Sequence, residues 1–446
     1  MASIAIQTSA IPLAPVLKQR RDRLAELYPG PVVLGSGQTV SRNFPANVYP
    51  FRANSHFLYF AGLPLSNAAL HLEAGRLTLF IDDTSPEAAL WHGPTPSREA
   101  IAAAIGADAA YPYHQVEKYL DDSATLPDQF DSGLHHSQAL AEALVALRLH
   151  HDDHAIEQIK TAAAVSVAAH RAGMAATSGA TTEAQVRAAM EQVIMAAGMT
   201  CAYNSIVTVH GEVLHNEQYH HPLGLGDLLL ADVGAEAPSG WASDITRTWP
   251  VAGRFTPAQR DIYNAVLAAH DACIAAARPG VEYRDLHLLA CRTLAAGLVD
   301  LGLLKGDPDD LVERDVHALF FPHGVGHLLG LDVHDMEDLK DVAGYAPGRV
   351  RSDRFGLKFL RLDRPLAANM VVTIEPGFYQ VPAILAPARQ SGQYDDAVNW
   401  GRLDDFQQVR GIRIENDVQI TPTGCAVLTA DLPTHPDVLE ALVMDS

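Results

Sequence analysis

Four acidic residues stand where acids are costly. Asp232 ends the apolar run LLLAD, Asp244 opens SDITRTW, Glu375 closes NMVVTIE, and Glu415 lies inside GIRIENDVQI. A carboxylate on a core strand must be paired, hydrogen-bonded or bound to a cation. Four that converge would repel one another, and divalent ions are the natural way to neutralise them. The stretch FFPHGVGHLLGLDVHD adds His323, His327 and His334. Carboxylates with one imidazole suit a pair of divalent metals. Read singly, each element has a plainer explanation. An Asp at a strand end is usually a turn or capping residue. Glu415 can pair with Arg413 on one strand face, and an isolated His-x3-His is more often two satisfied core histidines. The order Asp, Asp, His, Glu, Glu, each in its own distinctive setting, is what chance does not readily give.

The elements that must position these residues divide in two. Residues 1–152 read as a mixed α/β domain, with strands at PVVLGS (31–36) and LTLFIDD (77–83) and a short helix at SREAIAAAIGA. Residues 153–446 form the second domain. It opens with an Ala-rich helix ending near Gly179, then a second helix with a capping box from Thr182 to Gln185. A third starts at Thr256, with Pro257 at its first position and Gln259 completing the box. The runs 228–233, 243–249, 369–375 and 411–420 read as strands. With helices early and strands late, the fold class expected is α+β. The segment HHDDH (150–154) and His136 read as solvated linker or loop, and His220 and His221 as unassigned loop residues.

Bulk properties narrow the function. The 446 residues carry a formal net charge of −21, so no electrostatic footprint for nucleic acid or an anionic membrane is expected. No apolar run reaches the roughly 18 residues that span a bilayer. The first residues lack the basic n-region of a secretory leader. The cysteines Cys201, Cys273, Cys291 and Cys425 show no paired spacing. These features point to a cytoplasmic protein.

The motifs DVGAE…WASDITRTWP, HGVGHLLGLDVHD, TIEPGFY and RIEND together resemble the pita-bread metallopeptidases, which include methionine aminopeptidase, aminopeptidase P, prolidase and creatinase. The likeness runs from about residue 155 to the end. More loosely, FRANSHFLYFAGL resembles the N-terminal region of aminopeptidase P and prolidase. It implies a C-terminal pita-bread catalytic domain behind a smaller creatinase-type α/β domain. It further implies two divalent metal ions, Mn²⁺ by family habit with Co²⁺ or Zn²⁺ as alternatives. Asp232 would bind one ion, Asp244 and Glu415 would bridge, and His327 and Glu375 would complete the second. Such a pair lowers the pKa of a shared water towards neutrality, with Glu375 as general base. His323 and His334 would donate to substrate and to the tetrahedral intermediate. His215 and Arg413 match the family's substrate histidine and site arginine, and Tyr379 is expected to line the pocket. A homodimer is also a family expectation. The Asp232–Asp244 connection is one residue longer than the family's usual length.

Within the family, FGLKFLRLDRPL is similar to prolidase, where an arginine fourteen residues before the metal glutamate captures a dipeptide's carboxylate. Arg361 stands at that distance from Glu375, and a guanidinium suits bidentate carboxylate recognition. The plainer alternative is that it is one of several solvated arginines of a loop. The leading expectation is therefore an Xaa-Pro dipeptidase. The alternative is an aminopeptidase P acting on longer Xaa-Pro peptides. A third reading is a silent binding protein of the same fold, which the intact ligand set disfavours.

Overall fold

In the computed structural model the described residues are 13–127, 130 and 136–444. The expectation about a leader falls largely on residues 1–12, outside the described residues. The chain divides into two compact units: one runs to His150 and includes Pro238–Gly240, and the other holds His151–Ala237 and Trp241 onward.

The first unit carries a four-stranded sheet in the order Val32–Gly35, Ala69–Glu73, Arg76–Phe80, Ala109–Tyr111. The first three strands are antiparallel and the last is parallel to its neighbour. Val33, Ala69, Phe80 and Val116 form part of its core. The helix expected at SREAIAAAIGA is Arg98–Ile105. Ser97 accepts from the Ala100 N–H, and Gly106 stops it at φ 65°.

The second unit begins with two long helices, Asp153–Thr177 and Glu183–Ala196. The capping box expected at Thr182 does not form: Thr182 makes no side-chain cap. Gln185 instead turns its oxygen to the N–H and hydroxyl of Thr181. The box at Thr256 and Gln259 does form and opens the helix Pro257–Ala276. HHDDH is not solvated linker. His151 and His154 are buried, and His151 donates from Nε2 to Leu329 O (3.0 Å) while its ring meets Trp241 edge-on.

Three small sheets carry the acids. Leu228–Asp232 lies between Thr246–Pro250 and Ile206–Thr208, all antiparallel, with Asp232 opposite both Thr246 and Ile206. Val371–Ile374 pairs with Asn416–Ile420, and Gly377–Tyr379 with Gly411–Arg413. The run 411–420 is thus two strands, not one, because its halves pair with different partners. Glu415 occupies the break, its N–H donated to Thr246 O (3.0 Å). Beyond Asp232 the pairing continues through Ser243 N–H to Ala235 O and Ala237 N–H to Trp241 O.

Candidate metal centre

The buried Arg247 locks these strands together. Its guanidinium donates to the backbone carbonyls of Thr246, Glu415, Leu432 and Pro433 and to Asn416 Oδ1 (2.6–3.0 Å). Burial depresses its pKa to about 10, still far above neutrality. Asp417, fully buried, accepts from the Ser243 hydroxyl (2.8 Å) and the Asp244 N–H (3.1 Å), fixing the backbone at Asp244. Gly326 lets the histidine loop approach the Val371–Ile374 strand. At its φ of 153° a Cβ would stand 2.3 Å from Thr373 O and from the Tyr283 hydroxyl. With that approach made, Thr373 N–H donates to His327 O (3.0 Å) and Glu375 N–H to Val325 O (2.8 Å).

The five expected ligands converge. Ligand atoms of Asp244, His327 and Glu415 lie within 4.8 Å of one another. His327 Nε2 is 3.4 Å from Asp244 Oδ2 and 3.8 Å from Glu375 Oε1. Asp232 shares the Tyr203 hydroxyl with Asp244. Burial and mutual repulsion push Asp244, Glu375 and Glu415 well above the usual carboxylate range. Asp232 goes the other way: burial opposes it, but the Arg413 guanidinium at 2.6 Å holds its carboxyl down.

Two observations test this pocket against a cation. His327 Nδ1 faces the carbonyl of Leu328 at 2.9 Å, so Nδ1 carries the proton and the Nε2 lone pair points at the carboxylates. Burial lowers the pKa of that ring to about 4, so it stays neutral. A lone pair facing carboxylate oxygens is repulsive without a positive ion between them. Glu415 adds the second: Oε2 accepts from the Thr246 hydroxyl (2.7 Å), while the buried Oε1 has no partner among the described residues. An orphaned carboxylate oxygen beside an imidazole lone pair fits a divalent metal.

The residues expected to meet substrate border a cavity of about 580 Å³ lined by His215, His323, His334, Arg361 and Arg413 as well as the acids. His323 Nδ1–H donates to Gly324 O, and Nε2 accepts from the Tyr379 hydroxyl, both at 2.8 Å. Tyr379 accepts in turn from Arg413 Nη1 (3.0 Å). Tyr379 is fully buried and reaches the cavity through these two partners instead of lining it. His334 Nδ1 accepts from Arg361 Nη1 (3.3 Å), which leaves its Nε2–H available as a donor. Burial lowers both rings to about 3, His334 further through its neighbours His327 and Arg361. Arg361 Nη1 also donates to both oxygens of Glu337 (3.0 and 2.7 Å).

Tyr203, Arg247 and Asp417 were not legible as site residues. Each reads locally as an ordinary polar residue. The one signal was the run of Ser, Asp, Thr, Arg and Thr in SDITRTW, too polar for a strand buried throughout.

Residues 157–422 match the model of metallopeptidase family M24, and residues 17–129 match the aminopeptidase P N-terminal domain. The chain is 33% identical over 432 residues to a Fusarium vanettenii protein named probable Xaa-Pro aminopeptidase, covering 88% of this chain and 87% of that one. Among solved structures, the Pseudomonas aeruginosa aminopeptidase PepP superposes with a TM-score of 0.81 at 29% identity, covering 98% of both chains. Escherichia coli aminopeptidase P with the inhibitor Pro-Leu gives 0.81 at 27% identity, covering 97% of this chain and 98% of that one. Ligand geometry, domain order and relatives agree: this chain is a metallopeptidase of family M24, with an aminopeptidase P-type N-terminal domain ahead of a pita-bread catalytic domain.

Proposed function

We propose that the chain is an aminopeptidase P, releasing the residue before proline from peptides longer than two residues. The comparisons favour this reading over the dipeptidase, since the similar proteins named above are Xaa-Pro aminopeptidases or aminopeptidases. One observation in the cavity carries it. Arg361, the group that would capture a dipeptide's terminal carboxylate, already holds the Glu337 carboxylate at 2.7 Å. A second carboxylate there would meet Glu337's negative charge, whereas a peptide continuing past proline carries no charge at that point.

Asp232, Asp244, His327, Glu375 and Glu415 would hold two divalent ions, Mn²⁺ in our reading. When bound, the ions supply Lewis acidity and an activated water. The protein's own groups do the rest. Glu375, 3.8 Å from His327 Nε2, would take a proton and pass it to the departing proline nitrogen. His334 presents Nε2–H to the developing oxyanion. His323 presents no spare N–H as a neutral ring, so its part is to hold Tyr379 and the cavity wall until it gains a proton. Arg413 keeps Asp232 ionised, and His215 stays neutral through burial.

The test compares hydrolysis of Ala-Pro with that of Ala-Pro-Ala by the manganese-loaded protein. Preferential tripeptide cleavage is expected. Equal rates, or faster dipeptide cleavage, return the assignment to a dipeptidase. Metal analysis of the active protein checks the count of two and the identity of the ion.

A further inference from the structure

A second cluster of metal-ligating side chains lies outside the site just described. The helix Tyr283–Asp300 carries His287 and Cys291 four residues apart, hence on one face. The short 3₁₀ turn Val316–Leu319 brings His317 against them. One ligand atom from each of the three lies within 4.8 Å of the others. His287 and Cys291 are 0% exposed and His317 is 1% exposed.

We propose that His287, Cys291 and His317 form a third metal site, for a single ion of the zinc class. The tautomer of His287 is set by its surroundings. Nε2–H donates to Gly356 O (2.8 Å), which leaves Nδ1 as the lone-pair donor. Cys291 Sγ stands 3.9 Å from Nδ1 and 3.5 Å from Nε2. Ligands of one tetrahedral zinc, at Zn–S about 2.3 Å and Zn–N about 2.0 Å, are separated by roughly 3.5 Å, so small side-chain movements suffice. His317 is the second, independent observation. Both of its ring nitrogens are buried, and among the described residues neither has a partner in good hydrogen-bonding geometry. A buried imidazole without partners is costly, and a metal ion would satisfy it.

The surroundings permit a cation. The nearby Arg354 is neutralised by Asp315, its Nε 2.8 Å from the carboxylate. Gly356 closes the pocket, and a Cβ there would press within 2.8 Å of His317 Nε2, so the backbone needs glycine to pass. Burial holds the Cys291 thiol protonated, so binding would release its proton to give the thiolate ligand. The donor set of two imidazoles and one thiolate is softer than the oxygen-rich catalytic centre and selects zinc over manganese. One ring separates the two sites: Phe321 lies 5.6 Å from the His287 ring and 4.8 Å from that of His323.

Cobalt is the probe, because a thiolate–Co²⁺ bond gives a near-ultraviolet charge-transfer band that oxygen and nitrogen ligands do not. The manganese-loaded protein is titrated with Co²⁺, then with Zn²⁺, alongside Cys291→Ala and His317→Asn. The expected result is a thiolate band saturating at one Co²⁺ per chain and displaced by Zn²⁺. It should vanish in Cys291→Ala and weaken at least tenfold in apparent affinity in His317→Asn. Mass-spectrometric metal analysis should show one zinc per chain beyond the catalytic metals, lost in Cys291→Ala. Circular dichroism guards against a folding defect in the variants. No band in the wild-type protein, or a band that persists in Cys291→Ala, overturns the proposal.

Discussion

The Arg413 guanidinium donates to Asp232 Oδ2 across 2.6 Å, with both side chains almost closed off from solvent. One strand's only ionised acid is thus held by a cation on another strand. Arg413→Met should leave a buried carboxylate unpaired and lower the stability of the metal-free protein by about 3–5 kcal/mol. Urea unfolding after chelation measures this. An unchanged midpoint would show that Asp232 finds another partner.

His327 and His323 separate binding from turnover. His327→Ala should remove metal and activity together, because Nε2 faces the acids. His323→Ala should keep its metal and lose turnover by about 10²-fold, because Tyr379 and the cavity wall it holds lose their position. Metal content set beside kcat tests both. If both variants retain metal, the assignment within HGVGHLLGLDVH is wrong.

Glu337 sets the charge that Arg361 presents. Glu337→Gln should free the guanidinium for a substrate carboxylate and raise the ratio of Ala-Pro to Ala-Pro-Ala cleavage by about tenfold, roughly 1.4 kcal/mol. The change should appear in KM for the dipeptide. A ratio that stays put would mean that Arg361 does not meet the substrate's end.

The acid limb of stability should carry a histidine signature. His170 is fully buried, donates from Nε2 to Val233 O (3.1 Å), and has its pKa lowered from 6.5 to about 3, chiefly by burial. A folded-state pKa below the unfolded one stabilises above pH 6.5, and that stabilisation is lost as pH falls towards 3. Each unit in that window costs about 1.4 kcal/mol. His170→Gln should therefore flatten the fall in the urea midpoint between pH 6.5 and pH 5.

Two caps show how far local sequence reaches. Thr256 and Thr182 both precede a glutamine three residues on, yet only Thr256 forms the box. Thr256→Ala should cost about 1 kcal/mol, and Thr182→Ala less than half of that. The difference lies in Thr181, which takes Gln185 for its own N–H. That competition is invisible in the spacing alone.

The candidate metal ligands were legible because each is an acid or imidazole among apolar neighbours and because their motifs together resemble one family. Their supports were not. Asp417 sits in RIEND like a turn residue, and only the fold brings it to the Asp244 N–H 173 residues away. Tyr203 lies in a loop with no periodicity, 29 residues from one acid and 41 from the other. HHDDH failed differently: a polar string reads as solvated, but His151 and His154, three residues apart, turn inward at a helix start. Arg361 shows the same limit in chemistry, since its distance from Glu375 revealed a cation but not the carboxylate already beside it.

The break that places Glu415 between two strands has a meaning for the protein's making. Asp232 leaves the ribosome long before Glu415 does, and the segment that carries Glu415 cannot meet Thr246 until it has been synthesised. A nascent or prematurely ended chain therefore lacks both the last acid and the carbonyls that Arg247 clamps. The candidate metal centre is thus complete only late in synthesis.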